Sequence, residues 1–247
     1  MREYHADLHI HTVLSACAEV DMIPPLIVEE ALYKGLHVIA ITDHNTIGNC
    51  AAVMEAAKGT GLIVLPAMEL LTQEEVDLLC IFDALEQANA WQAEVDARLL
   101  PLENDPEHFG PQFIVDCEGD FVAEDTRMRK APVSIGLEQA AQQIHDLGGL
   151  VIPAHIERTM YGLMPVLGLW PPELQADAAE VSHNIRPNQT REQYPSLLGV
   201  PIISSSDAHF LDWIGHVRTV FSLESSPSVT ELRLALQGVG ARQFFVP

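Results

Sequence analysis

The feature that most constrains the fold is an alternation of short apolar runs with helix-like stretches along the chain. Leu36–Thr42 (LHVIAIT) is apolar at nearly every position, which is typical of a parallel strand covered on both faces. Pro24–Lys34 and Ile47–Lys58 are predicted helices on either side of it, and Gly35 suits the C-terminal cap of the first. Strands that alternate with helices predict a parallel sheet.

Further apolar runs extend this rhythm to the end of the chain. The other predicted strands are Tyr4–His11, Leu62–Leu71, Val76–Phe82, Leu150–Ala154, Ala179–Ser182, Pro201–Ser205 and Val217–Leu223. About seven strand-and-helix units favour an α/β fold with a closed, somewhat irregular (β/α) barrel of the TIM type. An open doubly wound sheet is the alternative, and no GxGxxG or Walker loop indicates nucleotide binding.

One segment, Pro101–Pro132, interrupts the alternation. Within it, QFIVDCEGDFVAED alternates around Glu118-Gly119, which predicts a β-hairpin. The segment is too short to form its own core. We therefore expect a single domain over residues 1–247, with a small hairpin excursion at about 101–132.

The net charge and the cysteine spacing indicate which kinds of partner and which cell compartment to expect. The chain has 13 basic and 35 acidic residues, a formal charge of −22, and a sequence pI of about 4.6. Such a chain lacks the basic surface that holds long nucleic acids or anionic membranes, so neither is expected as a partner. The N-terminus lacks the apolar core of a signal peptide, and no apolar run is long enough to span a membrane. The four cysteines show no CxxC spacing, so the expectation is a cytoplasmic protein with reduced thiols.

Polar side chains with metal-binding chemistry stand where the predicted strands end. In parallel barrels, functional residues collect at the C-terminal ends of the strands. Glu69 lies near the end of the third strand, Asp77 on the fourth, and Asp207 follows the strand at Pro201. Six of the 11 histidines also lie at strand ends, namely His9, His11, His44, His155, His183 and His209.

Such a set favours a multinuclear metal centre over isolated core histidines. Burying several unpaired imidazoles and carboxylates at one rim would cost several kcal/mol in desolvation, and bound cations remove that cost. His9 and His11 alternate along one strand, so both side chains point to the same side and can chelate one ion. Imidazole and carboxylate ligands suit zinc, manganese or iron better than calcium.

The ordered motifs of the chain resemble the PHP superfamily, the polymerase and histidinol phosphatase type of metal-dependent phosphoesterases. The motifs are DLHIHT, ITDHN, the MEL around Glu69, PAHIER and SSDAH, and they extend from Asp7 to His209. The resemblance implies a distorted (β/α)7 barrel that usually holds two or three Zn, Mn or Fe ions. It also implies hydrolysis of phosphomonoesters or phosphodiesters, although some polymerase-linked members have lost activity.

The resemblance also implies a ligand set. His9 and His11 would bind one metal together with Asp207, and Glu69 would bridge two metals. His155 would bind the second metal, and His44 and His209 would hold the third.

Two positions depart from the commonest pattern of the family. Asp77 and Cys17 stand where many members have histidine. Asp77 either binds, favouring manganese or magnesium, or leaves the second site weakened. Cys17 is either a thiolate ligand or an ordinary cysteine, and Glu19 or Asp21 are alternative ligands at that site.

The implied reaction is phosphoester hydrolysis by a metal-bridging hydroxide, with the metals binding the nonbridging oxygens. Arg158, in AHIER, is predicted to bind the substrate phosphate, against the alternative of a surface ion pair with Glu157. His183 is predicted to protonate the leaving group, against the alternative of a solvated loop histidine. Asp7 and Asp43 are predicted to orient the metal-binding imidazoles.

Three functions remain open at this point. The first is a hydrolase of a small phosphorylated substrate, a nucleotide or a short oligonucleotide. The second is a noncatalytic metal-binding or regulatory domain, which the departures at Asp77 and Cys17 favour. The third is an amidohydrolase, whose barrel also begins with HxH. Amidohydrolases usually have a metal-bridging lysine in mid-chain, whereas Lys34, Lys58 and Lys130 all lie away from predicted strand ends.

Overall fold

The computed structural model describes residues 1–247 as a mixed α/β fold built on a curled sheet. The strands are β1 (Arg2–Ile10), β2 (Val38–Ile41), β3 (Ile63–Leu71), β4 (Asp77–Ile81), β5 (Phe113–Val115), β6 (Phe121–Glu124), β7 (Leu150–Pro153), β8 (Ala179–Val181), β9 (Ile202–Ser204), β10 (Thr219–Leu223) and β11 (Gln243–Phe245). The helices are α1 (Pro24–Tyr33), α2 (Cys50–Ala56), α3 (Leu85–Asp96), α4 (Pro106–Phe109), α5 (Leu137–Asp146), α6 (Leu163–Leu167), α7 (Pro187–Gln193) and α8 (Val229–Leu236). The predicted α/β class is therefore confirmed.

The main sheet has seven strands in the order β11-β10-β1-β2-β3-β4-β7. Only the pairs β1–β2 and β2–β3 are parallel, and the other four neighbouring pairs are antiparallel. The regular (β/α)7 repeat is thus not reproduced in detail. The sheet curls into a half-barrel, and β8 and β9 form a separate parallel pair.

Loop length explains why β4 departs from the parallel expectation. Residues 72–76 join β3 to β4, and a parallel crossover needs about a dozen residues. The chain therefore turns back as a hairpin, with Glu75 in the left-handed region at φ 62°. As a consequence Asp77 begins β4 at the same edge of the sheet where β3 ends, and Leu71 pairs with it directly.

Hydrogen bonds connect the β8–β9 region to both sides of the curled sheet. Ile156, after β7, donates its backbone N–H to the carbonyl of Glu180 on β8 at 3.0 Å. On the other side, His11 donates to the carbonyl of Ala208, which follows β9, also at 3.0 Å. The ends of β1, β2, β3, β7 and β9 are therefore gathered at one rim.

Strand alternation divides the apolar residues into two layers. On β2, Ile39 and Ile41 belong to the layer that packs beneath α1, α2, α3 and α5, whereas Val38 and Ala40 belong to the other layer. Leu232 of α8 packs in this second layer. Both faces of β2 are buried, as its apolar sequence predicts.

The excursion over residues 101–132 contains the predicted hairpin. β5 and β6 pair antiparallel around a turn in which Gly119 has φ +88°. Arg129 is buried within the excursion and forms ion pairs with Asp125 at 2.6 Å and Asp96 at 2.7 Å. Elsewhere in the fold, none of the helices has both the length and the apolar character needed to cross a bilayer.

Candidate metal centre

Seven predicted ligands meet at the rim of the curled sheet, and all are buried. They arrive from the C-terminal ends of β1, β2, β3, β7 and β9 and from the first residue of β4. They are His9, His11, His44, Glu69, Asp77, His155 and Asp207, none of them more than 8% exposed. His209 is half-buried beside them. The ligand atoms form three overlapping groups, each with its members within 4.8 Å of one another.

The first group contains His9, His11 and Glu69, with Asp207 beside it. His9 Nε2 lies 3.1 Å from His11 Nε2, 3.2 Å from Glu69 Oε1 and 3.2 Å from Asp207 Oδ1. Asp207 Oδ1 lies equally close, 3.2 Å, to His11 Nε2. Four potential ligand atoms thus converge on one small volume.

Hydrogen bonds on the far sides of the two rings set their tautomers. His9 Nδ1 lies between the two carboxylate oxygens of Glu180, at 3.1 and 3.2 Å, so it must carry the proton and donate. Ser15 Oγ donates to Asp43 at 2.7 Å, and it therefore accepts from His11 Nδ1 at 2.9 Å. In the neutral rings, both Nε2 atoms then present lone pairs to the carboxylates.

The donor set therefore fits a cation. With both rings neutral, lone pairs of two imidazoles and two carboxylates face one another, which is repulsive unless a positive charge, a proton or a metal cation, lies between them. Glu69 Oε2 supports this reading because it is buried and its near neighbours are ring nitrogens of two other candidate ligands, His44 Nδ1 at 2.9 Å and His11 Nε2 at 3.4 Å. Nitrogen and oxygen ligands of this kind suit zinc, manganese or iron.

The pKa values of His9 and His11 are both shifted by the neighbouring charged groups. Burial lowers the pKa of His9, but the charges of Asp207, Glu180 and Glu69 raise it well above its usual range. Burial and the neighbouring His209 instead hold the pKa of His11 well below its usual range. The negative potential that attracts a proton to His9 attracts a metal cation equally.

The second group contains Glu69, Asp77 and His155. His155 Nε2 lies 3.1 Å from Glu69 Oε1 and 3.5 Å from Asp77 Oδ2. Burial and the charge of Glu69 raise the pKa of Asp77 to about 7. Asp77 therefore lies in a position to act as an oxygen ligand, and a cation there would restore its ionised form.

The third group contains His11, His44 and His209, and Cys17 adjoins it. His44 Nδ1 lies 2.9 Å from Glu69 Oε2, while its Nε2 lies 3.4 Å from Cys17 Sγ. Burial of the sulfur opposes ionisation, but hydrogen bonds with His209 and His44 lower the pKa of the Cys17 thiol to about 5. Cys17 is exposed as a residue, and neither Glu19 nor Asp21 joins the three groups.

Backbone strain coincides with the ligands. His155 has φ 28° and Asp207 has φ 52°, both in the left-handed region that residues with a Cβ rarely adopt. Asn45, directly after His44, has φ 50°. Residues with such backbone angles persist only where surrounding contacts hold them in place, and they are concentrated at functional sites.

Glu180 is a site residue that the sequence did not point to. It is fully buried on β8 and orients His9 through Nδ1. The available signal was an acidic residue inside a short apolar strand, where an unpaired charge is costly.

The two aspartates predicted to orient imidazoles act indirectly. Asp43 accepts from Thr12 and Ser15, and Ser15 in turn contacts His11. Asp7 accepts from the backbone N–H of Ser206 at 2.9 Å and so anchors the segment that carries Asp207.

A cavity of about 420 Å³ opens onto the ligands. Arg158 lines it, and its Nη1 lies 2.6 Å from Asp207 Oδ2, so it pairs with Asp207 and not with Glu157. Glu157 instead accepts hydrogen bonds from Ser182. Lys130, which lies away from every predicted strand end, enters the same cavity from the excursion.

The structure does not bring His183 into this cavity. His183 is exposed and packs edge-on against Trp213, with ring centroids 5.0 Å apart. It lines a separate cavity of about 630 Å³ together with His216 and Arg186. Its predicted part in leaving-group protonation has no contact at the rim to support it.

Two family models match the chain. The PHP domain model matches residues 7–167, and the model described as PHP-associated matches residues 186–237. An uncharacterized protein of Methanocaldococcus jannaschii is 38% identical over 77 residues, which is 28% of this chain and 45% of that protein. The chain thus aligns with less than half of this relative.

Solved structures share the fold at low sequence identity. The lesion-specific endonuclease Q of Pyrococcus furiosus has a TM-score of 0.74 at 21% identity, covering 98% of this chain and 58% of that chain. Endonuclease Q in complex with a 27-mer duplex that has an abasic lesion at the active site gives the same TM-score and coverage at 20% identity. A Bifidobacterium adolescentis protein proposed to be a metal-dependent phosphoesterase has a TM-score of 0.55 at 20% identity, covering 83% and 87% of the two chains.

These likenesses correct one expectation. The prediction that long nucleic acid is excluded as a partner is wrong, because a protein with this fold acts on duplex DNA. The prediction relied on the net charge of −22, which averages over the whole surface. Cations bound at such a rim would reverse the local sign of the charge, so the average over the surface does not describe the site.

Proposed function

Because the chain belongs to the PHP domain family, we propose that it hydrolyses phosphoester bonds with two or three divalent metal ions held at the rim. The observation that carries the proposal is the convergence of buried imidazole and carboxylate atoms in three overlapping groups. Zinc, manganese and iron are the ions that this donor set favours.

We assign the ligands group by group. His9, His11 and Asp207 would hold one ion, Asp77 and His155 would hold a second, and Glu69 belongs to both ligand groups. His11, His44 and His209 surround a third position, to which the Cys17 thiolate adds a fourth donor. The overlap of the groups at His11 and Glu69 supports a multinuclear centre over separate sites.

The residues of the chain have distinct parts in the proposed reaction. Bound ions supply an activated water and neutralise charge on the phosphoryl oxygens. Glu180 and Ser15 keep His9 and His11 in the tautomers that leave Nε2 free. Arg158 lines the cavity and pairs with Asp207 through Nη1, and we propose that its other N–H donors bind a phosphate oxygen.

We further propose that residues 1–247 act as one domain, with the excursion covering the site. His44 and Lys130 line both the 420 Å³ cavity and an adjoining cavity of about 230 Å³ between the excursion and the rim. The second cavity also includes Phe109 and Met128 of the excursion. A substrate larger than inorganic phosphate has room to extend into it.

The test is a phosphoester panel with the purified, metal-containing protein. The panel contains p-nitrophenyl phosphate, bis-p-nitrophenyl phosphate, mononucleotides, short oligonucleotides and a DNA duplex with an abasic site. We expect turnover of at least one substrate, its loss with a chelator, and its return with zinc, manganese or iron. No turnover on the whole panel, with two or more ions bound, would favour a noncatalytic metal-binding domain instead.

A further inference from the structure

Lys130 differs from the other lysines of the chain. The sequence has three lysines, and Lys34 and Lys58, just after α1 and α2, each form an ion pair with a glutamate of the preceding helix. Lys130 is half-buried and forms no such pair, and its nearest polar contact is Cys17 Sγ at 3.9 Å. In a chain with 35 acidic residues, a half-buried lysine that pairs with no carboxylate requires an explanation.

The backbone on both sides of Lys130 is held by Asn45, the residue next to the candidate ligand His44. Asn45 Nδ2 donates to the carbonyl of Arg129 at 2.5 Å and to that of Ala131 at 2.9 Å, one on each side of the lysine. Asn45 directly follows His44, and its Oδ1 accepts from the backbone of Leu71 at 2.9 Å. One buried amide therefore connects the end of β2, the end of β3 and the base of Lys130.

The side chain of Lys130 is directed into the cavity that opens onto the ligands. Its Nζ lies 5.9 Å from the ring centroid of Tyr161, which lines the same cavity. A cation above an aromatic face is attracted by the ring, and the Cys17 sulfur, 3.9 Å from Nζ, holds the ammonium group from the other side. No carboxylate forms an ion pair with Lys130, so its remaining N–H donors can bind an anion in the cavity.

We propose that Lys130 binds the phosphoryl group of the substrate, facing the metal ions from the excursion. The proposal rests on the proposed phosphoesterase function. Once cations neutralise Glu69 and Asp77, Lys130 and the ions present positive charge to one cavity. That arrangement, with a lysine and metal ions around the same volume, stabilises a tetrahedral oxyanion.

The test measures binding of inorganic phosphate to the metal-containing full chain by titration calorimetry, alongside phosphate inhibition of turnover. Lys130→Met removes the charge at similar volume, Lys130→Arg keeps it, and Lys58→Met is the matched control. We expect Lys130→Met to weaken phosphate binding roughly 10- to 100-fold and to raise KM, with unchanged metal content. Lys130→Arg should restore most of the binding, and Lys58→Met should match the wild type.

Each outcome decides the matter. Unchanged phosphate binding in Lys130→Met, or a loss of metal ions from that variant, would overturn the assignment, the latter because Lys130 would then serve the Cys17 side of the metal centre. If the wild type binds phosphate, Lys130→Met binds it more weakly and the wild type shows no turnover, the assignment of Lys130 is supported and the proposed hydrolysis fails. Turnover that is insensitive to Lys130 would leave the hydrolysis standing and end the assignment.

Discussion

The metal-ligand rim and the excursion at 101–132 are held in place in different ways. The rim ligands are buried and lie on or directly beside strands that distant parts of the chain align. The excursion has only four buried residues, Gln112, Val115, Arg129 and Ala131. Its position depends on a few specific contacts, chiefly those of Asn45 and Arg129. The comparison indicates that the sheet positions the candidate metal ligands. The excursion, which has few buried residues, positions Lys130, the residue that we propose binds the substrate.

The largest effect is expected at Glu69, which belongs to two of the three ligand groups. Glu69→Gln removes a negative charge and one ligand oxygen. We expect activity to fall by more than the roughly 10- to 100-fold that loss of an outer hydrogen-bond partner costs. Metal content and kcat on the best substrate of the panel measure this. Glu3→Gln, at an exposed position, is the control, and near-normal turnover in Glu69→Gln would contradict the ligand assignment.

A smaller effect is expected from Glu180→Gln, which keeps the size of the side chain. The amide no longer forces His9 to carry its proton on Nδ1. We expect a loss of roughly 10- to 100-fold in metal affinity or activity. Competition with a chromophoric chelator measures the affinity, and exposed Glu173→Gln is the matched control. Equal affinities in the two variants would show that Glu180 only fills space.

Arg129→Met tests the other side of the comparison. The change leaves Asp125 without its buried partner, which destabilises the excursion locally by about 3 kcal/mol. We expect faster hydrogen exchange over residues 101–132, weaker substrate binding and an unchanged metal content. If hydrogen exchange instead accelerated throughout β1 and β3, the excursion would be part of the framework of the rim.

The smallest effect is expected outside the rim and the excursion, at Asp177, which contacts His145 of α5 and Arg233 of α8. Burial raises the pKa of Asp177, but hydrogen bonds from His145 and Arg233 outweigh it and hold the pKa below its usual value. A carboxyl with a depressed pKa stabilises the fold above its unfolded pKa of about 3.9, and this contribution is lost as the pH falls through the folded pKa. Urea unfolding from pH 7 to pH 3 should therefore show a steeper loss in the wild type than in Asp177→Asn. Parallel curves would contradict this assignment.

The sequence predicted what local pattern and strand-end position can determine. The α/β class, the hairpin around Gly119 and the clustering of histidines and carboxylates all follow from alternation, turn chemistry and the desolvation cost of unpaired polar groups. Strand direction was missed at β4, although the predicted strands ending at Leu71 and starting at Val76 left too few residues for a parallel crossover. Lys130 was missed because its position comes from the Asn45 contact across 85 residues of sequence.

The central claim is that the facing imidazoles and carboxylates at the rim enclose a cluster of cations. Anomalous diffraction at the zinc, manganese and iron absorption edges, from crystals of protein purified without chelators, tests it most directly. We expect two or three peaks, one among His9, His11 and Glu69 and another beside Asp77 and His155. A map without peaks among these residues, from crystals of protein that hydrolyses phosphoesters, would contradict the account.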